Sequence, residues 1–320
     1  MLYLVSVRDA FFNKLYEKIK SGEDIYVLSS DLGAPSLEDL RKYYPERFIN
    51  VGIAEQSLIS ISTGMVKAGK KVVAYGLNPF PMTRAFDQVR CLMGELNIPV
   101  VLCALNSGFC SAAAGYTHMA TEVFGMARML PNLKTYYPSD ETISEVLAEK
   151  VSEFREPQYI VFDKIAGGKI YDENTLNFHK GYFVYNPTGQ NKIAVVSTSS
   201  HTRILRKIVD DCAEKNLSVS AIDIFSVPFD EKSFIDEIKD YSEIITVEEN
   251  VLQGGLGSYI LEIISDNRLN ISVKRFGVSS RDKIPKVFMD RDYLRKLYSL
   301  DEEGIICTLN DIYKNWGVRL

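Results

Sequence analysis

Apolar and polar positions along the chain fall into short alternating runs. Ser6 to Lys20 carries apolar residues at helical spacing and predicts an amphipathic helix. Ile25-Tyr26-Val27-Leu28-Ser29 predicts a first strand, ending in Ser30-Asp31-Leu32-Gly33. Helix and strand patterns then alternate through Leu37 to Tyr43, Phe48 to Val51, Ser57 to Ala68, Lys71 to Tyr75, Thr83 to Leu96 and Pro99 to Leu105. After a loop rich in Gly, Ala and Ser they resume with Ala120 to Leu130, Leu133 to Tyr137, Glu141 to Phe154 and Tyr159 to Asp163. Such alternation predicts crossover units and a mostly parallel sheet with helices on both faces. The strand runs are almost wholly hydrophobic, as strands buried on both faces should be.

From Ala166 to Asn191 the rhythm breaks, with Gly167-Gly168, Asp172-Glu173-Asn174, Pro187 and Gly189. This stretch reads as an inter-domain linker. A second α/β unit starts at Ile193-Ala194-Val195-Val196-Ser197. It continues through helix Thr202 to Lys215, strand Val219 to Asp223, helix Lys232 to Ile238 and strand Glu243 to Glu248. Gly254-Gly255-Leu256-Gly257-Ser258 then opens another helix. A glycine loop ahead of a helix can cradle phosphate, but this one lacks the spacing of the named phosphate loops. Close helix–strand packing is the preferred account. The expected architecture is α/β, with two open, mostly parallel-sheet domains at 1–170 and 192–320 and a linker at 171–191.

Between two early elements lies "RFINVGIAEQ", residues 47–56. Its β-branched run ends a strand, Gly52 lets the chain turn, and a helical pattern follows from Gln56 to Lys67. Glu55 then stands at the mouth of a strand-to-helix turn, with Val51, Ile53 and Ala54 around it. A carboxyl among apolar neighbours tends to keep its proton and can donate a hydrogen bond at neutral pH. A Glu opening a helix also complements the helix dipole, and on Glu55 alone that is the simpler account.

Glu55 is not alone. "FINVGIAEQ", then "AYGLNPFPMTRAFDQV" and "YTHMATEVFGMARMLPNLKTYYPSD", closely resemble the transketolase family, in the half that binds the aminopyrimidine ring of thiamine diphosphate. The resemblance runs over nearly the whole chain. It implies that Glu55 hydrogen-bonds the pyrimidine ring and favours its imino tautomer, whose nitrogen takes the proton from the thiazolium carbon. It also places Asp31, Ile53, Phe80 and Arg84 against the cofactor. Phe80 would stack on the ring, although it could equally be a core aromatic. Arg84 matches the deoxyxylulose-phosphate-synthase branch, and an ion pair is its plainer role.

Toward substrate, the resemblance points to Arg8, Ser36, Asn106, His118 and Lys164. His118 falls on the family's His after a small-residue loop, where it contacts substrate and shuttles protons. Ser36 falls on a sugar-phosphate contact, and helix N-cap is its plainer role. Arg8 matches by position a phosphate-binding Arg. Glu122 matches a Glu at the family's subunit interface, and Asp140 reads as an N-cap. Three departures stand out. Ala114 replaces the carboxylate that grips donor hydroxyls, Asn106 stands where an upstream His is expected, and Asp163-Lys164 stands where an Arg would clamp acceptor phosphate. Arg forks bind phosphate bidentately and Lys only as a point charge, so an unusual sugar substrate is expected.

The family holds Mg²⁺ and the diphosphate through Gly-Asp-Gly followed by Asn. No Gly-Asp-Gly occurs in the chain. The resemblance therefore implies a partner subunit carrying the diphosphate-binding, N-terminal half, and a heterotetramer. Two alternatives stay open: the β subunit of a 2-oxoacid dehydrogenase first component, and a non-catalytic structural or regulatory subunit.

Bulk properties change this picture little. The 320 residues, 46% hydrophobic and 25% charged, are ordinary for two globular domains. A net charge of -5 argues against nucleic acid as partner. No apolar run reaches membrane length, and Met1 to Val5 lacks the charged start of a signal peptide. The five cysteines and three histidines show no metal spacing, so mostly buried free thiols in a reducing cytoplasm are expected.

Overall fold

A computed structural model describes residues 5–174, 176–189, 192–279 and 289–315. The first helix, α1 (Val7–Lys20), shows how local chemistry sets an element. Ser6 Oγ accepts the Asp9 N–H at its start, Lys18 and Lys20 lie in its last turn, and Val7, Phe11, Phe12, Leu15 and Ile19 form its buried face. It is followed by β1 (Ile25–Ser29), α2 (Glu38–Tyr43), β2 (Phe48–Asn50), α3 (Glu55–Lys67) and β3 (Lys71–Leu77). Next come α4 (Phe80–Thr83), α5 (Phe86–Gln88), β4 (Val101–Leu105), α6 (Val123–Arg128), β5 (Lys134–Tyr136), α7 (Glu141–Glu149) and β6 (Gln158–Phe162).

The later part of the chain supplies β7 (Tyr182–Tyr185), β8 (Ile193–Ser197), α8 (His201–Glu214), β9 (Val219–Ile224), β10 (Ser226–Val227) and α9 (Glu231–Ile238). It ends with β11 (Glu243–Val251), α10 (Leu256–Asp266), β12 (Ser272–Val278), α11 (Arg291–Leu297) and α12 (Glu302–Asn315). Two sheets result. The first has seven strands in the order β10-β5-β6-β4-β3-β1-β2, the second five in the order β12-β11-β8-β9-β7. Both are parallel except at one edge, where β10 and β7 run antiparallel to their neighbours. The α/β expectation of two open, mostly parallel sheets holds.

Two local expectations are corrected, and one strand appears where the sequence predicts none. The helix predicted over Thr83–Leu96 is broken into α4, α5 and a π-helical run, Val89–Glu95. The wider π turn still buries Val89 and Met93 while Asn132 Nδ2 donates to the Gly94 carbonyl. Within the stretch read as a linker, Tyr182–Tyr185 forms a strand, pairing Tyr182 with Ile224 and Tyr185 with Ala221. Ser226–Val227, far along the chain, adds a strand to the first sheet beside Tyr136 and Thr135. Neither pairing has a local sequence signature, because each rests on a distant partner strand. The five cysteines are unpaired, but only Cys103 and Cys212 are buried and Cys307 is exposed.

Candidate active site

At the carboxyl ends of β1 and β2 the chain builds a small hydrogen-bonded corner. Asp31 has φ 56, a left-handed conformation that Asn and Asp tolerate best. Asn50 Nδ2 donates to Asp31 Oδ1 at 2.9 Å, and Asn50 Oδ1 accepts from the N–H groups of Asp31 and Gly52 at 3.1 and 2.9 Å. Gly52, with φ 77, turns the chain toward α3. The corner thus fixes where Ile53 and Glu55 emerge. Ile53 is 73% exposed, unusual for an apolar side chain beside a sheet edge, whereas Glu55 is only 2% exposed.

Glu55 is met from the open side by Arg84, whose Nη1 donates to Glu55 Oε2 at 2.6 Å. The environment is therefore not purely apolar, as the sequence suggested. The partner guanidinium comes from a residue distant in sequence and is itself nearly half exposed. The Arg84 guanidinium carbon also lies 4.6 Å from the centre of the Phe80 ring. The His118 ring also meets Phe80 edge to face, with centroids 5.3 Å apart. His118 Nδ1 shares a hydrogen bond with Thr117 Oγ1 at 2.9 Å. Glu55, Arg84, Phe80 and His118 thus form one continuous cluster, drawn from α3, the α4–α5 segment and the loop after β4.

These groups fit a flat heteroaromatic ring. Phe80 offers a half-buried aromatic surface, Ile53 an exposed apolar one, and Glu55 a carboxyl whose only side-chain partner among the described residues is an exposed, displaceable cation. They do not supply a cation site. Among the described residues, no group of three or more His, Cys, Asp or Glu is placed to hold a metal.

The other candidates divide into two sets. Arg8 and Ser36 come together, joined by Asp9, a residue the sequence did not single out. Arg8 Nη2 donates to Asp9 Oδ2 at 2.8 Å and Ser36 Oγ donates to Asp9 Oδ1 at 2.7 Å. Burial works to raise the Asp9 carboxyl, but hydrogen bonds from Arg8, Ser6 and Ser36 hold it below the usual carboxylate range. Ser36 does not cap the helix after it. It sits inside a 3₁₀ turn, Pro35–Leu37, preceded by Ala34, and makes no side-chain cap. Asp140 does cap, its Oδ1 accepting the Ile143 N–H at 3.0 Å.

Asn106 and Lys164 differ in exposure and share no hydrogen bond. Asn106, at φ 92, is fully buried below the surface. Asn78 Nδ2 donates to the Asn106 carbonyl at 3.0 Å, and Tyr159 Oη donates to Asn78 Oδ1 at 2.6 Å. Lys164 is exposed and reaches the small-residue loop, its Nζ 3.4 Å from Ser111 Oγ. Beside His118, Tyr116 Oη donates to Glu122 Oε1 at 2.6 Å, which with burial pushes the phenol up to about 12.

The glycine loop ahead of α10 is not a phosphate cradle. The Leu256 and Gly257 N–H groups, which would face an anion, donate to Glu248 at 2.7 and 2.8 Å. A Cβ at Gly255 would lie 2.2 Å from Glu248 Oε2, and one at Gly257 2.5 Å from Thr246 Oγ1. The glycines serve close helix–strand packing.

Two family models match. Residues 4–168 fit "Transketolase, pyrimidine binding domain" and residues 181–305 fit "Transketolase, C-terminal domain". The chain is 29% identical to a subunit of the apulose-4-phosphate transketolase of Actinobacillus succinogenes, over 90% of this chain and 92% of that one. It is 28% identical to a putative transketolase C-terminal section of Methanocaldococcus jannaschii, over 93% of each. It is also 28% identical to the 1-deoxy-D-xylulose-5-phosphate synthase of Halothermothrix orenii, covering 84% of this chain but only 42% of that enzyme. A solved structure described as "Split gene transketolase, inactive beta4 tetramer" superposes with a TM-score of 0.82 at 24% identity, covering 96% of this chain and 98% of that one. The corner that presents Glu55, the two sheets behind it and the two matched models agree: the chain belongs to the transketolase family of thiamine-diphosphate-dependent transferases and carries its pyrimidine-binding and C-terminal domains.

Proposed function

We propose that this chain is the pyrimidine-binding half of a split transketolase-like enzyme, active only with a second chain that carries the Mg²⁺- and diphosphate-binding half. The observation that carries this reading is the Glu55–Arg84–Phe80–His118 cluster in a chain without Gly-Asp-Gly. The relatives matched over nearly their whole length are described as a transketolase subunit and a C-terminal section, which supports a separate partner. The structural neighbour described as an inactive β4 tetramer supports inactivity without that partner, and a heterotetramer is the assembly proposed for the active enzyme. Five unpaired cysteines suit a reducing cytoplasm.

Bound thiamine diphosphate supplies the carbon nucleophile that takes up and passes on a two-carbon unit. In this reading Glu55 binds the pyrimidine edge and governs its protonation, once Arg84 turns aside. Phe80 and Ile53 flank the ring, and Asp31 braces the turn beneath. His118, at the edge of Phe80, binds substrate oxygen and carries protons. Arg8, with Ser36 behind it, and Lys164 offer positive charge to a substrate anion, and Asn106 supports the strand end from below. The loop Ala112-Ala113-Ala114 presents no carboxylate to donor hydroxyls. The substrate proposed is accordingly a sugar other than the simple sugar phosphates of central metabolism, and the relatives named for apulose 4-phosphate support a phosphorylated one.

Calorimetry tests the split. The chain alone, titrated with thiamine diphosphate and Mg²⁺, is expected to show no tight binding, and tight binding would overturn the reading. With the partner present, a donor–acceptor panel compares kcat/KM. Xylulose 5-phosphate with ribose 5-phosphate outperforming apulose 4-phosphate and every unphosphorylated or nucleotide-linked candidate would overturn the substrate assignment.

A further inference from the structure

The loop that carries His118 leaves the first sheet after β4, yet its apolar residues belong elsewhere. Phe109, Ala112 and Met119 are buried in a cluster otherwise built by the C-terminal domain, with Val195, Leu205, Val247 and Leu294. The Phe109 ring stacks on Tyr298 with centroids 5.7 Å apart. The loop is also held through its backbone. Phe109 N–H donates to Glu249 Oε2 at 2.8 Å, and Val251 N–H donates to the Thr121 carbonyl at 2.9 Å. Gly108, at φ 48, has no room for a side chain, because a Cβ there would lie 2.3 Å from Glu249 Cβ.

Glu249 is itself fixed by two arginines of α11. Arg291 Nε donates to Oε1 at 2.8 Å and Arg295 Nε to the same oxygen at 2.6 Å. Arg291 then forks onto Asp163 at the end of β6, with bonds of 2.7 and 2.5 Å. Burial works to raise the Glu249 carboxyl, but the charges of Arg291 and Arg295 hold it far below the usual range. One buried carboxylate therefore ties the active-site loop, α11 and a central strand of the first sheet to each other.

We infer that Glu249 and Arg291 are positioning residues for the transferase reaction: the C-terminal domain sets the His118 loop through the Glu249–Phe109 N–H bond. The effect on catalysis rests on the proposed meeting of His118 with substrate; the effect on the loop does not. Asp163, standing where the family resemblance implies a phosphate-clamping Arg, is by this account the first-sheet anchor of the device.

The test uses the full chain bearing Glu249→Gln. Hydrogen exchange by mass spectrometry is expected to quicken about tenfold or more across residues 107–119 while peptides of β1, β3 and α10 stay unchanged. In the enzyme reconstituted with its partner, kcat/KM is expected to fall about a hundredfold, as for a catalytic group misplaced by an ångström. Exchange of the cofactor's thiazolium C2 proton and the cofactor dissociation constant should remain as in the unaltered enzyme. A loss of folding alone would instead lower cofactor-binding capacity and activity together, in proportion. Should Glu249→Gln fail to fold, Arg291→Lys carries the same test, since it keeps a positive charge beside Glu249 and loses the fork that ties Glu249 to Asp163. Unchanged exchange across 107–119 in a folded variant overturns the inference. A loosened loop together with a fully active His118→Ala enzyme overturns the role of His118 and so separates the two claims.

Discussion

Glu55 and Glu248 make an instructive pair. Each is a glutamate toward the carboxyl edge of one of the two mostly parallel sheets and only 2% exposed; Glu55 is the first residue of α3, and Glu248, on β11, meets the start of α10. Glu248 is sealed. It accepts two backbone N–H bonds from α10, under glycines that leave no space above it. Glu55 opens α3 itself and, among the described residues, has the exposed side chain of Arg84 as its only side-chain partner and no such backbone bonds to the following turn. The second sheet's edge is filled in the same way nearby. Asp223 accepts hydrogen bonds from Tyr171 Oη at 2.6 Å, Thr202 Oγ1 at 2.8 Å and Ser139 Oγ. Open α/β sheets bind ligands beyond the carboxyl ends of their strands. Here the first sheet's edge at Glu55 is met by an exposed side chain, whereas the second sheet's edge at Glu248 and Asp223 is taken up by internal pairing. Burial of a carboxylate is thus no mark of a site; what distinguishes Glu55 is a covering group that can leave.

Altering each carboxylate in turn puts the contrast to the test. Glu55→Gln should leave assembly intact and slow exchange of the thiazolium C2 proton in the reconstituted enzyme by about 10²- to 10⁴-fold, the range for a positioned acid–base group. NMR of the exchange measures it, and an unchanged rate would make Glu55 no more than a second Glu248. Gly255→Ala should act in the opposite way. It destabilises the chain by about 1 to 3 kcal/mol, because the new methyl meets Glu248 and the Val251 carbonyl, and leaves C2 exchange untouched. Urea midpoints read the stability change.

The smallest expected effect is on pH dependence. Burial pushes the Glu248 carboxyl up to about 7, against the pull of the Gly257 and Leu256 N–H groups, and pushes Asp223 up to about 6. A carboxyl whose folded value lies above its unfolded one binds its proton more readily when folded. Stability should therefore rise as the pH falls through 7 and then 6, and be lost again on the alkaline side. His201, pushed down to about 4 by burial, works against this below 6.5, because the unfolded chain then takes up the proton first. The melting temperature should accordingly be lower at pH 8 than at pH 6.5. Glu248→Gln should flatten that interval, and an unaltered slope would remove Glu248 from the account.

Much of the fold is legible in the chain. Ile25–Ser29 and Ile193–Ser197 are strands with the bounds their apolar runs suggest, and Asp140 caps as its position implies. The site is legible only in part. The motif around Glu55 shows that a carboxyl will stand at a helix start, and the resemblance carried by Phe80, Arg84 and His118 says which chemistry to look for. Nothing local shows that Arg84 lies on Glu55, or that Ser36 serves Asp9 and not its own helix. Glu249 had a faint signal, as one of two adjacent acids late in an apolar strand. Arg291 had none, since its partners lie 42 and 128 residues away.

Periodicity and glycine placement are properties of neighbouring residues, so the two α/β units, the turn at Gly52 and the packing role of Gly255 and Gly257 follow from the chain alone. Burial and pairing depend on which distant segments meet. It takes the folded molecule to make a strand of Tyr182–Tyr185, to carry Ser226–Val227 across to the first sheet, and to rest the loop bearing His118 in the core of the other domain. A carboxylate has the same formula at Glu55, Glu248 and Glu249. Its surroundings, an exposed arginine, two backbone N–H groups or a pair of partly buried guanidiniums, are contributed by tertiary contacts and make the three chemically different.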